Sequence, residues 1–510
     1  MTSGEPLYRN LMRFKQDHPE AADCKVNGTI PAWLEGNLFR NGSGKFKIGE
    51  DQFQHLFDGM AVIHKFSIEN GKVQYQNRLL ESKALAKNLG ANRIVVSEFG
   101  TRAFPDPCKN IFNRYFSHFF KMGVLTDNDC VNIMATGDAL YALTETDRIT
   151  RIDKDTLKTV DRAAYSSYAT VNSGTAHPHT EKDGTLYNLG VTYGKQIYNT
   201  IFRIPPSQPG KATPLEGTHV LAHIPSRWKM CHGYSHSFAM SENYVIYLEQ
   251  PLAVNILKLV TSHMRNSTFC KSLEYYKDEK LIFHVVEKKT GKIQSKKFCA
   301  DAFFVFHQVN CYEDNGHLVL DLCAYENADI LEKLYLKSIE EANEIPQSTL
   351  KRFVLPLESN KVTLSYTSAT AKEGQDGNVD VVPEVFENAD FELPTINYTG
   401  YNTKKYRYAY GVEVKLSDAR LFKSDWETRD LKIFEEKNNR ILIEPIFVPN
   451  PEGKAEDDGV LLVPAISPED DSPSRLYILD AKDLSEIATA DVPPQIAMPF
   501  TFHGLFLPKI

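Results

Sequence analysis

Cysteine is scarce: eight in 510 residues, at positions 24, 108, 130, 231, 270, 299, 311 and 323, with no two in a CxxC spacing. That excludes a disulfide-built scaffold and argues against a zinc ribbon or a thioredoxin-like site. A surplus of positive charge is also lacking. The formal net charge is −8 with Lys and Arg interspersed, so there is no basic field to hold nucleic acid. No run of about 18 uncharged apolar residues occurs, which argues against a spanning helix. The opening stretch, MTSGEPLYRNLMRFKQDHPE, lacks the apolar core of a secretory signal. The sequons at Asn27, Asn266 and Asn397 therefore carry little weight, and the chain reads as cytoplasmic.

What is present is aromatic and strand-like. There are 24 Tyr and 29 Phe, a load that suits sheets around a large apolar interior. Short β-type runs recur at 61–68, 186–191, 244–248, 318–322 and 475–479, with turn residues close by, such as Asn70-Gly71 and Asn315-Gly316. Ile149 and Ile152, followed by the turn at Asp153-Lys154-Asp155, add another piece. Many short antiparallel strands with few helical periods predict an all-β chain: a sandwich, barrel or propeller. At this length a propeller of about seven blades accommodates the strands without a domain break, although no crisp sequence repeat marks the blades.

Two segments break this rhythm. In 105–121, Ile111, Phe112, Tyr115, Phe116, Phe119 and Phe120 fall on one helical face, flanked by Lys109, Arg114 and Lys121. A second apolar stretch, 251–260, contains Lys258. Each reads either as a helix packed on the core or as an element inserted at a membrane interface. The stretch 371–377 reads as a surface loop.

Of 15 histidines, four lie in or beside apolar strand-like runs, where a buried imidazole needs partners for both nitrogens. His177 precedes a turn and a strand, and His236 stands just ahead of the strand at 244–248. His307 follows Phe303-Phe304-Val305-Phe306. His503 lies in a C-terminal tail apolar enough to dock into the body of the protein. These four are far apart in sequence, unlike the ligands of a zinc finger, but inner strands of a propeller converge on one axis. Four imidazoles suit Fe(II), and also Cu or Zn on softness alone. Carboxylates accepting the outer ring N–H groups would orient the rings and offset the metal's charge. Glu145, Glu392 and Glu444 stand in apolar, strand-like contexts that suit this role.

Ordered blocks along nearly the whole chain resemble the carotenoid cleavage oxygenases, specifically the animal branch with the retinoid isomerohydrolases. They include Leu38-Phe39-Arg40-Asn41-Gly42, His55-Leu56-Phe57-Asp58-Gly59-Met60, Glu98-Phe99-Gly100 and Pro105-Asp106-Pro107-Cys108-Lys109. Further blocks are Thr175-Ala176-His177-Pro178-His179, His236-Ser237-Phe238, Tyr312-Glu313-Asp314, Glu444-Pro445-Ile446-Phe447 and Phe502-His503-Gly504-Leu505. The resemblance implies a single seven-bladed β-propeller over 1–510, with a helical and loop cap above an axial iron. It implies Fe(II) on His177, His236, His307 and His503, leaving His179 and His232 out. It pairs Glu145 with His236, Glu392 with His307 and Glu444 with His503, and gives His177 no carboxylate. It places Thr144 beside an open iron position and Phe99 on the cleft wall. Segments 105–121 and 251–270 become the membrane-facing patch at a tunnel mouth, with Cys108 in a motif suspected of acylation. The implied reaction is O2-dependent cleavage of a carotenoid C=C to retinal-type aldehydes by a peripherally membrane-associated enzyme. Gln308, where the isomerohydrolases carry a second His, favours an oxygenase over an isomerohydrolase. An insect-type isomerooxygenase, coupling cleavage to trans-to-cis isomerisation of one half, is the preferred reading. Central or eccentric cleavage without isomerisation is the alternative, with a retinoid isomerohydrolase as the third choice.

Overall fold

The computed structural model describes residues 11–12, 14–107, 126–206, 213–341, 344–374, 377–416, 418–467 and 472–509. Strand dominates, as the aromatic and β-branched runs predict. The runs at 61–68, 186–191, 244–248, 318–322 and 475–479 lie within strands Met60–Glu69, Leu186–Thr192, Tyr244–Glu249, His317–Tyr325 and Arg475–Asp480. Ile149 and Ile152 fall in Arg148–Ile152, which turns at Asp153 into Thr159–Ala164. His317–Tyr325 is buried along its whole length, which explains its near-continuous apolar sequence: neighbouring sheets cover both of its faces.

Seven sheets of four or more strands are formed by the described residues, almost wholly antiparallel and built mostly from consecutive hairpins. One runs Asn132–Thr136, Ala139–Leu143, Arg148–Ile152, Thr159–Ala164; another runs Glu392–Thr395, Tyr408–Val412, Arg420–Asp425, Leu431–Glu435. Two of the sheets join the ends of the chain. The C-terminal strand His503–Pro508 pairs with Gly36–Lys45, while Lys25–Gly28 pairs with Glu486–Asp491. Strands that begin successive sheets pack side by side: Ala239–Met240 on Phe304–Asp314, the latter on Glu392–Thr395, and His503–Pro508 between Ile446–Pro449 and Asn132–Thr136. The starts of distant segments are thereby gathered at one place.

Helices are short. Lys83–Ala91 is the longest among the described residues, and no described helix is long and apolar enough to cross a membrane. The segment 251–260 is not one helix. Leu252–Asn255 is a buried strand between Cys231–Gly233 and Leu273–Tyr275, and only Ile256–Val260 is helical, started by the Asn255 side chain accepting from Lys258 N at 3.0 Å. Branched residues and a cap-forming Asn explain the switch. Nor is 371–377 a plain loop: Thr370–Glu373 pairs with Val379–Val382 as an exposed edge strand. Most of 105–121, with Cys108, lies outside the described residues. The other seven cysteines are free and buried.

The closing strand tolerates no side chain at Gly504. A Cβ there would lie 2.0 Å from the Phe39 carbonyl oxygen and 2.8 Å from Arg40 Cδ. Gly504→Val should destabilise the protein by about 1–3 kcal/mol or more, read as a lowered denaturation midpoint. An unchanged midpoint would show that the pairing does not close the fold.

Candidate metal centre

The site is assembled from strand beginnings. His503 opens its strand, His177 and His236 stand two and three residues ahead of His179–Thr180 and Ala239–Met240, and His307 is the fourth residue of Phe304–Asp314. Glu392 opens Glu392–Thr395, Glu444 precedes Ile446–Pro449, and Thr144 and Glu145 directly follow Ala139–Leu143. One ring nitrogen from each of the four histidines lies within 4.8 Å of all the others. Successive Nε2 atoms are 3.0 Å apart for His177–His236 and 3.2 Å for both His236–His307 and His307–His503.

The outer nitrogens explain what the inner ones can do. His236 Nδ1 meets Glu145 Oε1 in a short contact, His307 Nδ1 lies 2.5 Å from Glu392 Oε2, and His503 Nδ1 lies 2.7 Å from Glu444 Oε1. A carboxylate accepts only, so each of these Nδ1 atoms carries the hydrogen and each Nε2 presents a lone pair. Lone pairs facing one another at about 3 Å are not hydrogen bonds. They are the donor set of a cation, since metal–imidazole bonds of about 2.0–2.1 Å place neighbouring nitrogens about 3 Å apart. With imidazole as the only ligand type, Fe, Cu, Zn or Ni fits the donors and a hard, oxygen-seeking ion does not. The other two candidates have their own partners. His179 is taken by Tyr398 Oη at 3.0 Å and Phe238 O at 2.9 Å, and His232 by Gly233 O and Tyr193 Oη, both at 3.1 Å.

Burial drives His177 well below the ordinary histidine range, with the neighbouring imidazoles adding to it, and drives His503 down to about 4. Both rings are therefore neutral at physiological pH, the state in which they can bind metal. Burial alone would raise the Glu444 carboxyl, but His503 and Arg40 hold it below the carboxylate range. His177 is the least buried of the four, and no described carboxylate reaches its ring; Thr175 Oγ1 accepts from its backbone N–H at 3.3 Å.

Several partners lay beyond the sequence reading. Arg40, fully buried, donates to Glu444 Oε2 at 2.6 Å. Tyr234 Oη donates to Glu145 Oε1 at 3.2 Å. Leu393 sits at φ 49°, rare for a branched residue, and its N–H turns back to Glu392 Oε2 at 2.6 Å. Arg40, in the mixed polar and apolar segment 36–45, gave no local signal of this role. Tyr234, between His232 and His236, gave none.

A cavity of about 280 Å³ opens onto the cluster. Thr144, Glu145 and Phe99 line it, together with Leu259 and Phe269 from the 251–270 segment. Aromatic rings run along it toward the histidines. Phe269 to Phe99 is 5.6 Å between centroids, Phe99 to Phe57 5.5 Å, Phe57 to Phe306 6.1 Å, and Phe306 to His236 5.2 Å.

A mostly β chain that converges on four histidines, three of them buried and backed by glutamates, defines a metalloprotein with a cavity reaching its metal position. The chain belongs to the RPE65/carotenoid oxygenase family: the family model for retinal pigment epithelial membrane protein (RPE65) matches residues 12–508. It is 40% identical to the β,β-carotene 15,15'-dioxygenase of Gallus gallus, over 98% of this chain and 97% of that one. It is 38% identical to the mitochondrial carotenoid-cleaving dioxygenase of Mustela putorius furo, over 99% and 97%. Among solved structures, cobalt-substituted apocarotenoid oxygenase of Synechocystis superposes with a TM-score of 0.78 at 23% identity, covering 98% of this chain and 99% of that one. At that identity the superposition bears on the fold alone.

The donor set carries two expectations. Glu392→Gln should weaken divalent-metal affinity about 10–100-fold in a metal titration, since it replaces the anionic acceptor behind His307 with a neutral amide; an unchanged affinity would deny the carboxylate that role. For the metal-free protein, His503 titrates near 4 when folded and near 6.5 when unfolded. The unfolded state then binds more protons in that window, so stability is present above about pH 6.5 and is lost as pH falls toward 4. Denaturation midpoints across that range read the slope.

Proposed function

We propose that this protein is a non-haem Fe(II) dioxygenase that cleaves a carotenoid C=C bond with O2 into two aldehydes. The observation that carries this reading is the convergence of three carboxylate-backed Nε2 lone pairs, with His177, at the end of an aromatic-lined cavity. The relatives named as carotene dioxygenases support the substrate class. In the same reading, the seven sheets are the blades of one propeller domain spanning 1–510, with the metal on its axis.

Iron bound there supplies the activation of O2. The protein's own residues do the rest. His177, His236, His307 and His503 act as ligands, and Glu145, Glu392 and Glu444 fix three rings in the tautomer that points a lone pair inward. Phe99, Phe57 and Phe306 form an apolar wall for a polyene, exclude water, and offer ring faces to cationic character along the chain. Thr144 lines the same cavity and would stand near the bound metal. A carotenoid is nearly insoluble, so the cavity must be fed from a bilayer. Leu257, Val260 and Met264 are 55%, 43% and 67% exposed beside Lys258 and Arg265, which suits an interfacial patch on a cytoplasmic, peripherally bound protein.

The finer reading couples cleavage to trans-to-cis isomerisation of one half. Central cleavage without isomerisation is the second reading, favoured by the 40–41% identity to β,β-carotene 15,15'-dioxygenases. Fe(II)-loaded protein incubated with zeaxanthin or β-carotene in detergent should yield aldehydes under air and none under nitrogen. Products that form equally under nitrogen would overturn the dioxygenase. An 11-cis product beside an all-trans one supports the isomerase activity, and all-trans products alone sink that part only. Leu257→Glu combined with Met264→Glu should reduce co-sedimentation with phospholipid vesicles several-fold; unchanged binding would remove this patch from the membrane contact.

A further inference from the structure

The three carboxylates behind the histidines are not equivalent. Among the described residues, Glu145 receives only the neutral Tyr234 hydroxyl beyond its histidine, and Glu392 Oε1 is buried without a hydrogen-bond partner. Of the three, Glu444 is the one that meets a described Arg or Lys: Arg40 Nη1 donates to its Oε2 at 2.6 Å, opposite the oxygen that holds His503. The remaining donors of Arg40 go to the same stretch of chain. Nε donates to Thr501 Oγ1 at 3.2 Å and Nη2 to the Phe502 carbonyl at 2.7 Å. Arg40 is wholly buried, on the strand Gly36–Lys45 that pairs with His503–Pro508, and is directly opposite Gly504 in that register.

A buried guanidinium is costly unless every contact is good, and a less expensive way to hold a strand end exists in ordinary ladder pairing. Its charge therefore needs a reason, and the site supplies one. Four neutral imidazoles leave a dication's charge intact; three carboxylates overcompensate it by one. One buried cation restores neutrality, and Arg40 is bonded to the carboxylate that needs it. We propose that Arg40 is a positioning residue of the metal centre: through Glu444 it orients His503, the ligand delivered by the closing strand, and it balances the charge of the filled site. This inference rests on the metal-centre reading above.

The geometry makes a distinctive demand. A residue that acts through Glu444 must lose its effect once the Glu444 carboxylate is gone. Co(II) titration of metal-free full-length protein, followed by visible absorbance, reads this without turnover. Arg40→Met should weaken Co(II) binding about 10–100-fold, within the range of lost outer-sphere partners. Glu444→Gln should also weaken binding, and Arg40→Met combined with Glu444→Gln should cost no more than the worse of the two alone, because both remove one support of His503. Arg40→Lys, which keeps charge and loses the fork, should fall between wild type and Arg40→Met. Metal-free denaturation midpoints, recorded for each variant, separate folding from binding. If the two losses simply add in the double variant, or Arg40→Met binds Co(II) as wild type does, Arg40 is only a strand-end clamp and the proposal falls. If Arg40→Met does not fold, Arg40→Lys decides: affinity equal to wild type overturns the proposal, and a loss with an unchanged midpoint supports it. Wild type that fails to bind one Co(II) sinks the metal-centre reading instead.

Discussion

Three buried imidazoles whose lone pairs turn toward one point repel each other unless a cation lies between them. That constraint organises the molecule. Each ring is fixed in this otherwise unfavourable orientation by a carboxylate behind it, and each carboxylate comes from a different sheet from its histidine: Glu145 follows Ala139–Leu143, while its partner His236 precedes Ala239–Met240. Such pairings link neighbouring sheets across the centre. The centre is a structural crosslink as well as a chemical one, and the pairing of His503–Pro508 with Gly36–Lys45 brings the last ligand to it.

Much of this was legible in the sequence because strand period and turn chemistry are local signals. The runs around Ile63, Val245 and Leu320 had no competing reading. The four ligands were legible for a different reason: a histidine in an apolar strand context must be partnered, and the four sites so selected do converge. What failed was local as well. Leu252, Ala253 and Val254 can enter a helix or a strand, and only the long-range partners Gly233 and Glu274 select the strand. Thr370–Glu373 is polar and exposed because it is an edge, which in sequence cannot be told from a loop. Arg40 and Tyr234 were unreadable as site residues, since their partners Glu444 and Glu145 are 404 and 89 positions away.

The cavity adds an asymmetry. Its deep end is polar and anionic on the far side of the rings, whereas its wall is aromatic from Phe269 to Phe306. A molecule in the cavity meets the rings from Phe269 to Phe306 along a lining that is mostly apolar but also carries Lys87, Glu98, Glu145 and Glu392. This arrangement admits a long apolar molecule and penalises one that must shed water from a charged group on the way.

His177 is the exception, and the charge of the centre accounts for it. Its ring meets no described carboxylate, and it is the least buried of the four. A fourth buried carboxylate would leave a filled site with a net negative charge in a region whose one added cation, Arg40, already belongs to Glu444. The ring is partly exposed instead, and it packs 4.5 Å between centroids from both His236 and His503. The ligand without an anionic anchor is therefore the one whose neighbours already fix it, and the absence of a fourth glutamate follows from the same balance that requires the other three.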